Sequence, residues 1–210
     1  MPPKLYENFL LDSDLAEVKK VGLYFGSFNP IHNGHLSLAR FILENTNLQK
    51  LWFVVSPQNP FKPQSILADD MMRFEMVRIA IEDEIDMDVS DVEFSLPKPS
   101  YTIDTLNYLS QENQHIEFSL LIGADNVENF CKWKDYQKIL SEYDVLVYPR
   151  NGYDLSETNN KYPEMRCLEA PLFDLSSSYV RNLLREGKNV SDLLKPEVLK
   201  YIKSNNIYNN

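Results

Sequence analysis

Two of the chain's three histidines, His32 and His35, stand three residues apart in GSFNPIHNGH (26–35). Gly26, Pro30 and Gly34 lie around them, directly after the apolar run VGLYF (21–25) and directly before a helical pattern. Glycines let a backbone approach a ligand closely, and the first turn of a helix presents free N–H groups with positive partial charge. In that setting His32, just ahead of the helix, and His35, in its first turn, would donate hydrogen bonds to phosphate oxygens. The spacing is neither the GxGxxG dinucleotide fingerprint nor the Walker GxxxxGK[ST] loop. Two other uses stay open. The pair could be structural, one ring capping the helix and one in the core, or part of a zinc site, for which only His115, Cys131 and Cys167 remain as neutral or thiolate ligands.

A second group of donors occurs at SSSYVR (176–181). Ser176, Ser177 and Ser178 at a helix start offer hydroxyl and backbone donors, with Arg181 one turn further on. The same pattern also describes a plain helix cap followed by a surface arginine. Lys62, in SPQNPFKP (56–63), is either a phosphate contact or a solvated lysine. Cys131 and Cys167 are isolated, with no CxxC, and are expected as reduced, buried thiols. No nucleophile elbow, paired-carboxylate motif or carboxylate cage for a metal is visible.

The segment 26–35 resembles the GxFxPxHxGH signature of the nucleotidyltransferase superfamily, whose HxGH element holds the triphosphate of ATP. Gly26, Phe28, Pro30, His32, Gly34 and His35 fill all six fixed positions. Residues 176–181 resemble the second signature, ISSTxIR, with Leu175 in the isoleucine position. SYTIDTL (100–106), LIGADNVENFCKW (121–133) and SPQNPFKP resemble one branch, the bacterial nicotinate-nucleotide adenylyltransferases, and the likeness runs over nearly all of residues 21–203.

The resemblance implies transfer of the adenylyl group of ATP to nicotinate mononucleotide, giving deamido-NAD and pyrophosphate in NAD biosynthesis. The attacking phosphate is already ionised, so alignment and charge stabilisation remain as the work of the protein. It implies His32, His35, Lys62 and Arg181 as catalytic groups. It implies Gly26, Ser27, Phe28, Gly34, Gly123, Asp125, Ser176, Ser177 and Ser178 as further ATP contacts. For the acceptor it implies Trp133 over the pyridinium ring, Thr102 with N–H groups for the carboxylate, and Asn29 and Arg150. Each of these has a plainer alternative: a core tryptophan, a helix cap, a surface ion pair. Magnesium is expected, bound mainly through ATP phosphates and water. The chain departs from the family at Ser27-Phe28-Asn29, where Gly-Thr-Phe-Asp is usual, and at the single Pro60 before Phe61 and Lys62. Transfer to nicotinamide mononucleotide or another phosphate is a rival reading. So is a non-catalytic nucleotide-binding module, which would be expected to have lost HxGH or Arg181.

Positioning these residues requires strands that end at the turns. VGLYF, LWFVV (51–55), a strand within 87–95, IEFSLLIG (116–123), YDVLVYP (143–149) and a last strand near 167–173 alternate with amphipathic stretches. Those stretches include a helix over 69–82 capped by Asp69, with Met72, Met76, Ile79 and Ala80 on one face. Others are a helix begun by Ser100 or Thr102 as cap, one over 176–187 stopped by Gly187, and one after Pro196. Residues 151–166 read as a polar surface loop. This alternation predicts an α/β fold: a Rossmann-like doubly wound parallel sheet with helices on both faces, in a single domain. Ligands then bind at the carboxyl ends of the strands, so 26–35, 56–63, 123–133 and 176–181 should meet in one cleft. The expected division is an N-terminal extension of unassigned role (1–20), the nucleotidyltransferase domain (21–203) and a polar tail (204–210). A formal charge of -10 argues against a general nucleic-acid binder, and no apolar run suits a membrane span. A cytoplasmic protein follows, with a homo-oligomer left open.

Overall fold

The alternation resolves into one parallel sheet wrapped by helices, seen in a computed structural model that describes residues 19–57 and 67–208. The elements run β1 (Lys19–Gly26), α1 (Asn33–Asn45), β2 (Lys50–Val55), α2 (Asp70–Ala80), β3 (Met87–Ser90), α3 (Val92–Ser95), α4 (Thr102–Glu112) and β4 (Ile116–Gly123). They continue with α5 (Ala124–Val127), a 3₁₀ turn (Phe130–Lys132), α6 (Tyr136–Glu142), β5 (Asp144–Tyr148), α7 (Leu155–Lys161), β6 (Arg166–Cys167), α8 (Ser177–Arg185) and α9 (Pro196–Ser204). Of the N-terminal extension, residues 1–18 lie outside the described residues, while Lys19 and Lys20 already belong to β1.

The strand order is β3-β2-β1-β4-β5-β6, every pairing parallel. The chain therefore steps outward from β1 to β3, then returns to the other side of β1. The reversal falls between β1 and β4, where a crevice opens at the carboxyl edge. Side chains alternate between the two faces. Tyr24, Leu51, Phe53 and Val55 pack under α1, α2, α8 and α9, while Val21, Leu23, Trp52 and Val54 pack under α4, α5 and α6. Among the described residues no helix is long and apolar enough to cross a membrane.

Several expectations are corrected. Residues 151–166 are not all loop: Asp154 accepts from the Ser156 N–H at 2.8 Å and starts α7, and Thr158, Tyr162 and Met165 are buried. The last strand shrinks to Arg166–Cys167 at the sheet edge, ahead of Pro171, which has no N–H to donate to a ladder. The cap position of α4 is Tyr101, not Ser100 or Thr102. Neither thiol is buried: Cys131 is exposed and Cys167 half-buried. Residues 204–208 do not trail away, since Ile207 joins the core.

The buried face of α2 is also rotated by one residue, and the reason is an arginine. Arg73, Met76, Val77 and Ala80 point inward, while Met72 and Ile79 are only half-buried. Fully buried Arg73 donates to the carbonyls of Ser27 (2.6 Å), Ser56 (2.8 Å), Ala68 (3.0 Å) and Pro57 (3.2 Å), and pairs with Asp70. A guanidinium suits such a place because its planar fork can satisfy several acceptors at once. Replacing it with methionine would leave those carbonyls unpaired, each at a cost of about 1–3 kcal/mol. Arg73→Met should lower the unfolding free energy in urea by roughly 3 kcal/mol or more. Arg73→Lys should recover little of that, because one ammonium cannot reach four carbonyls. Wild-type stability in either variant would contradict this account of the clamp.

Candidate active site

Beyond Gly26 the chain turns back on itself. Phe28 takes a left-handed φ of 43° and lays its ring over Gly26, where an added Cβ would stand 2.7 Å from the ring. Glycine is needed for that contact. Positive φ is costly for a bulky residue. Here it is held by edge-on packing of Phe28 against Tyr24, Phe53 and His35, at 5.5, 5.3 and 5.2 Å between centroids.

The turn delivers His32 to the cap position of α1 and His35 to its first turn. Their rings stack, 3.6 Å apart and 19° from parallel. The His32 backbone N–H donates to His35 Nδ1 at 3.2 Å. A nitrogen that accepts carries no proton, so neutral His35 holds its proton on Nε2. The His32 side chain faces the His35 backbone N–H in a reciprocal capping box, but its buried Nδ1 has no hydrogen-bond partner. Burial first, and the Arg150 guanidinium second, lower His32 from 6.5 to about 3. Burial, His32 and Arg150 likewise hold His35 well below its ordinary value. Two imidazolium ions at stacking distance beside an arginine would repel, so both rings are neutral in the free protein. Gly34 keeps the pair close to α8: a Cβ there would lie 3.2 Å from both His32 Nδ1 and Leu175 Cβ.

Helix α8 is fastened to the same turn. Ser176 caps it, accepting from the Tyr179 N–H at 3.2 Å. Ser177 Oγ donates to the Pro30 carbonyl at 2.9 Å. Arg181 donates to the Asn29 carbonyl at 2.7 Å and to Ser178 Oγ at 3.0 Å, leaving its Nε buried and unpaired. The serine run is thus a cap, a strut and an arginine rest in that order.

From the other side of the crevice come the ends of β4 and β5. Asp125, just past Gly123, pairs with Arg150 Nε at 3.5 Å, and that Nε has no hydrogen-bond partner. Arg150 also donates to the Tyr148 hydroxyl at 3.3 Å and lies over its ring. Tyr148 and Tyr24 share a hydroxyl contact, and burial raises both phenols above their ordinary range. A small cavity lined by Tyr24, His32, His35, Tyr148, Arg150 and Leu175 lies among them.

Thr102 opens α4, and half-exposed Trp133 ends the 3₁₀ turn with its ring 5.1 Å from Phe130. Lys134 donates to both Asp104 oxygens at 2.8 Å, which pins the residue after Trp133 to the first turn of α4. Of the four segments expected to converge, 26–35 and 176–181 are bonded directly, and 123–133 reaches them only at its start, where Asp125 pairs with Arg150. Ser56 and Pro57 join them through the carbonyls they share with Ser27 on Arg73. Lys62 lies outside the described residues. Asn29, expected at the acceptor, is almost fully buried, and its Oδ1 accepts from the Ala68 N–H (3.1 Å) and the Tyr208 hydroxyl (2.7 Å). It faces the scaffold, because a buried acceptor was needed beneath the turn.

Four contributors escaped the sequence reading: Arg73, the Tyr24–Tyr148 pair, Tyr208 and Glu93, a buried carboxyl bonded by Thr105 Oγ1 at 2.9 Å. Burial raises the Glu93 pKa. An arginine at helical spacing with Met76, Val77 and Ala80 was the one legible signal; the others depend on contacts between distant segments.

A cytidylyltransferase-like family model matches residues 23–183. The chain belongs to that family. A relative from Flavobacterium johnsoniae, described as a probable nicotinate-nucleotide adenylyltransferase, is 44% identical over 90% of this chain and 98% of its own length. Another of the same description, from Cytophaga hutchinsonii, is 44% identical over 91% and 99%. Nicotinic acid mononucleotide adenylyltransferase from Plasmodium falciparum, solved in complex with NaAD, shares the fold. Its TM-score is 0.77 at 22% identity, covering 90% of this chain and 97% of that one.

The buried histidines give this cytidylyltransferase-like chain a definite response to acid. Between pH 6.5 and about 3 the unfolded chain protonates His32 while the folded chain does not, so stability is full above 6.5 and falls as pH drops. Chemical denaturation from pH 7 to 4.5 should show the wild type losing more stability than His32→Asn. Equal losses would mean that His32 is not held neutral by its surroundings.

Proposed function

We infer that the chain is a nicotinate-nucleotide adenylyltransferase, moving the adenylyl group of ATP onto nicotinate mononucleotide. A phosphate oxygen of the mononucleotide attacks the α-phosphorus and forms the new P–O bond. The bond from that phosphorus to the bridging oxygen breaks, and its electron pair leaves with pyrophosphate. The names of the close relatives support this reading. The observation in the molecule that carries it is that His32 Nδ1 at the cap of α1, Arg181 Nε on α8 and Arg150 Nε past the end of β5 are buried without hydrogen-bond partners, the last having only an ion pair with Asp125 at 3.5 Å. Buried polar atoms normally find partners, and a polyphosphate is a ligand with oxygens to supply them.

In this reading the backbone of Gly26, Ser27, Phe28 and Gly34 lets the triphosphate come close, and His32, His35 and Arg181 donate to it. Lys62 adds a cation by resemblance. Charge developing on the departing pyrophosphate is stabilised by groups already fixed in place, which avoids reorganisation during the reaction. Gly123 and Asp125 serve the ribose, the α8 start at Ser176–Ser178 the phosphates, and Arg150 the anion between the substrates. Thr102 and adjacent N–H groups take the nicotinate carboxylate, and Trp133 covers the positively charged ring. Among the described residues no cluster of three or more candidate metal ligands occurs, and the nearby carboxylate Asp125 is paired with Arg150. That donor set would suit magnesium held chiefly by the triphosphate and water. When bound, the ion would neutralise part of the phosphate charge. The enzyme is expected to work in the cytoplasm.

Pyrophosphate release from ATP and magnesium should be fast with nicotinate mononucleotide and slow with nicotinamide mononucleotide or phosphopantetheine. A carboxylate accepts from helix-start N–H groups, whereas the amide sets a donor against a donor. Equal kcat/KM for acid and amide would refute the choice of acceptor and leave adenylyl transfer standing. His35→Ala should lose on the order of a hundredfold in kcat with the fold kept. Arg181→Lys should also be impaired, since an ammonium cannot reproduce the guanidinium fork. Thr102→Ala should lower acid-over-amide discrimination more than it lowers ATP affinity, as read from the two kcat/KM values and the ATP KM.

A further inference from the structure

Beyond α9 the backbone folds back toward the active-site turn. Asn206 and Tyr208 both take left-handed φ values, 51° and 69°. Between them the Ile207 N–H donates to the Ile202 carbonyl at 3.0 Å, and the Ile207 side chain is buried in the core. A left-handed tyrosine is an uncommon conformation that persists only where its surroundings hold it. Here the anchor at Ile207 aims the Tyr208 hydroxyl at one atom, Asn29 Oδ1, at 2.7 Å.

Asn29 links that hydroxyl to the phosphate-facing side of the turn. Its Oδ1 also accepts from the Ala68 N–H at 3.1 Å, and the Ala68 carbonyl accepts from Arg73 at 3.0 Å. Its own carbonyl accepts from Arg181 at 2.7 Å. The side chain of Asn29 is thus gripped from behind by α9's continuation and the lead into α2, while its main chain steadies the arginine in front. Everything in this relay lies on the sheet face covered by α1, α2, α8 and α9. Thr102 and Trp133 lie on elements of the opposite face.

We propose that Tyr208 is a positioning residue of the nucleotide site: its hydroxyl fixes Asn29, and Asn29 aims Arg181 at the triphosphate. The position at residue 29 needs a hydrogen-bond acceptor, and a neutral amide provides one without burying a charge. Tyr208 itself touches no substrate. Its effect is confined to the ATP half of the crevice and leaves the mononucleotide half untouched. This rests on the adenylyl-transfer reading, because it assigns Arg181 to ATP.

The test is Tyr208→Phe, which deletes one oxygen and keeps the ring, with folding checked by circular dichroism and thermal melting. Binding of a non-hydrolysable ATP analogue, measured by calorimetry, should weaken about five- to tenfold, the size of one lost hydrogen bond. The KM for nicotinate mononucleotide should move less than twofold. In an Arg181→Lys background the same substitution should have little further effect on analogue binding, because the route runs through the arginine. Unchanged analogue affinity, with only the melting temperature lowered, would make Tyr208 a strut of the fold and overturn the proposal. So would an equal rise in both KM values, or a full effect persisting beside Arg181→Lys. If the wild type bound no ATP analogue at all, adenylyl transfer itself would fall, and with it any role of Tyr208 in ATP binding.

Discussion

A guanidinium removed from water has to find oxygens for its N–H groups, and in this protein that requirement organises the active-site floor. Arg73 reaches carbonyls in three separate segments: the turn after β1, the end of β2 and the lead into α2. Those segments share no continuous secondary structure at that point, so the arginine ties them together, helped by the Ser56 N–H on the Gly26 carbonyl (2.9 Å) and the Ala68 N–H on Asn29 Oδ1 (3.1 Å). Because the peptide before Pro30 is thereby set in place, α8 can dock onto it through Ser177 and Arg181. Fix the floor, and the phosphate-facing donors follow.

Those donors are held ready at some cost. His32 and His35 sit face to face beside Arg150 in surroundings that disfavour their charged forms. The site therefore concentrates positive charge on the arginines while keeping the imidazoles neutral. In the proposed reading an arriving polyphosphate would reverse the balance, its negative charge favouring protonated rings and its oxygens supplying the missing partners. Donors that are fixed before the substrate arrives stabilise developing charge without having to reorganise, which is the main means available to an enzyme with no covalent chemistry to perform.

Much of this was legible in the residues. The buried strands announced themselves as short apolar runs, and HxGH and SSSYVR stand where local spacing put them, at the starts of α1 and α8, which the Ser177 and Arg181 bonds bring together. Asp69 capped α2 and Gly187 closed α8 as their residue types imply, the latter at a left-handed φ of 64°. What was not legible depends on distance along the chain. Asn29 looked like a substrate contact because it lies inside the 26–35 signature, yet its partners stand at Ala68 and Tyr208. Arg73 shares its helical spacing with Met76, Val77 and Ala80, but arginine is normally solvated, so spacing alone does not say which carbonyls it meets. Helix α7 was hidden in a polar stretch, since Thr158 is its one buried residue and Tyr162, which closes it, packs on Phe130, far away in sequence. Sequence spacing reports local periodicity well, but it is silent about which distant carbonyl will need a donor.

The central claim is that the nitrogens of His32, Arg181 and Arg150 that lack hydrogen bonds, on α1, on α8 and past the end of β5, are built for a triphosphate. A crystal structure with a non-hydrolysable ATP analogue tests it most directly, read as distances from phosphate oxygens to His32, Arg150 and Arg181. Oxygens within about 3.2 Å of the His32 ring and of the Nε atoms of both arginines are the predicted result. A triphosphate seated elsewhere, with those nitrogens still unpaired, would contradict it.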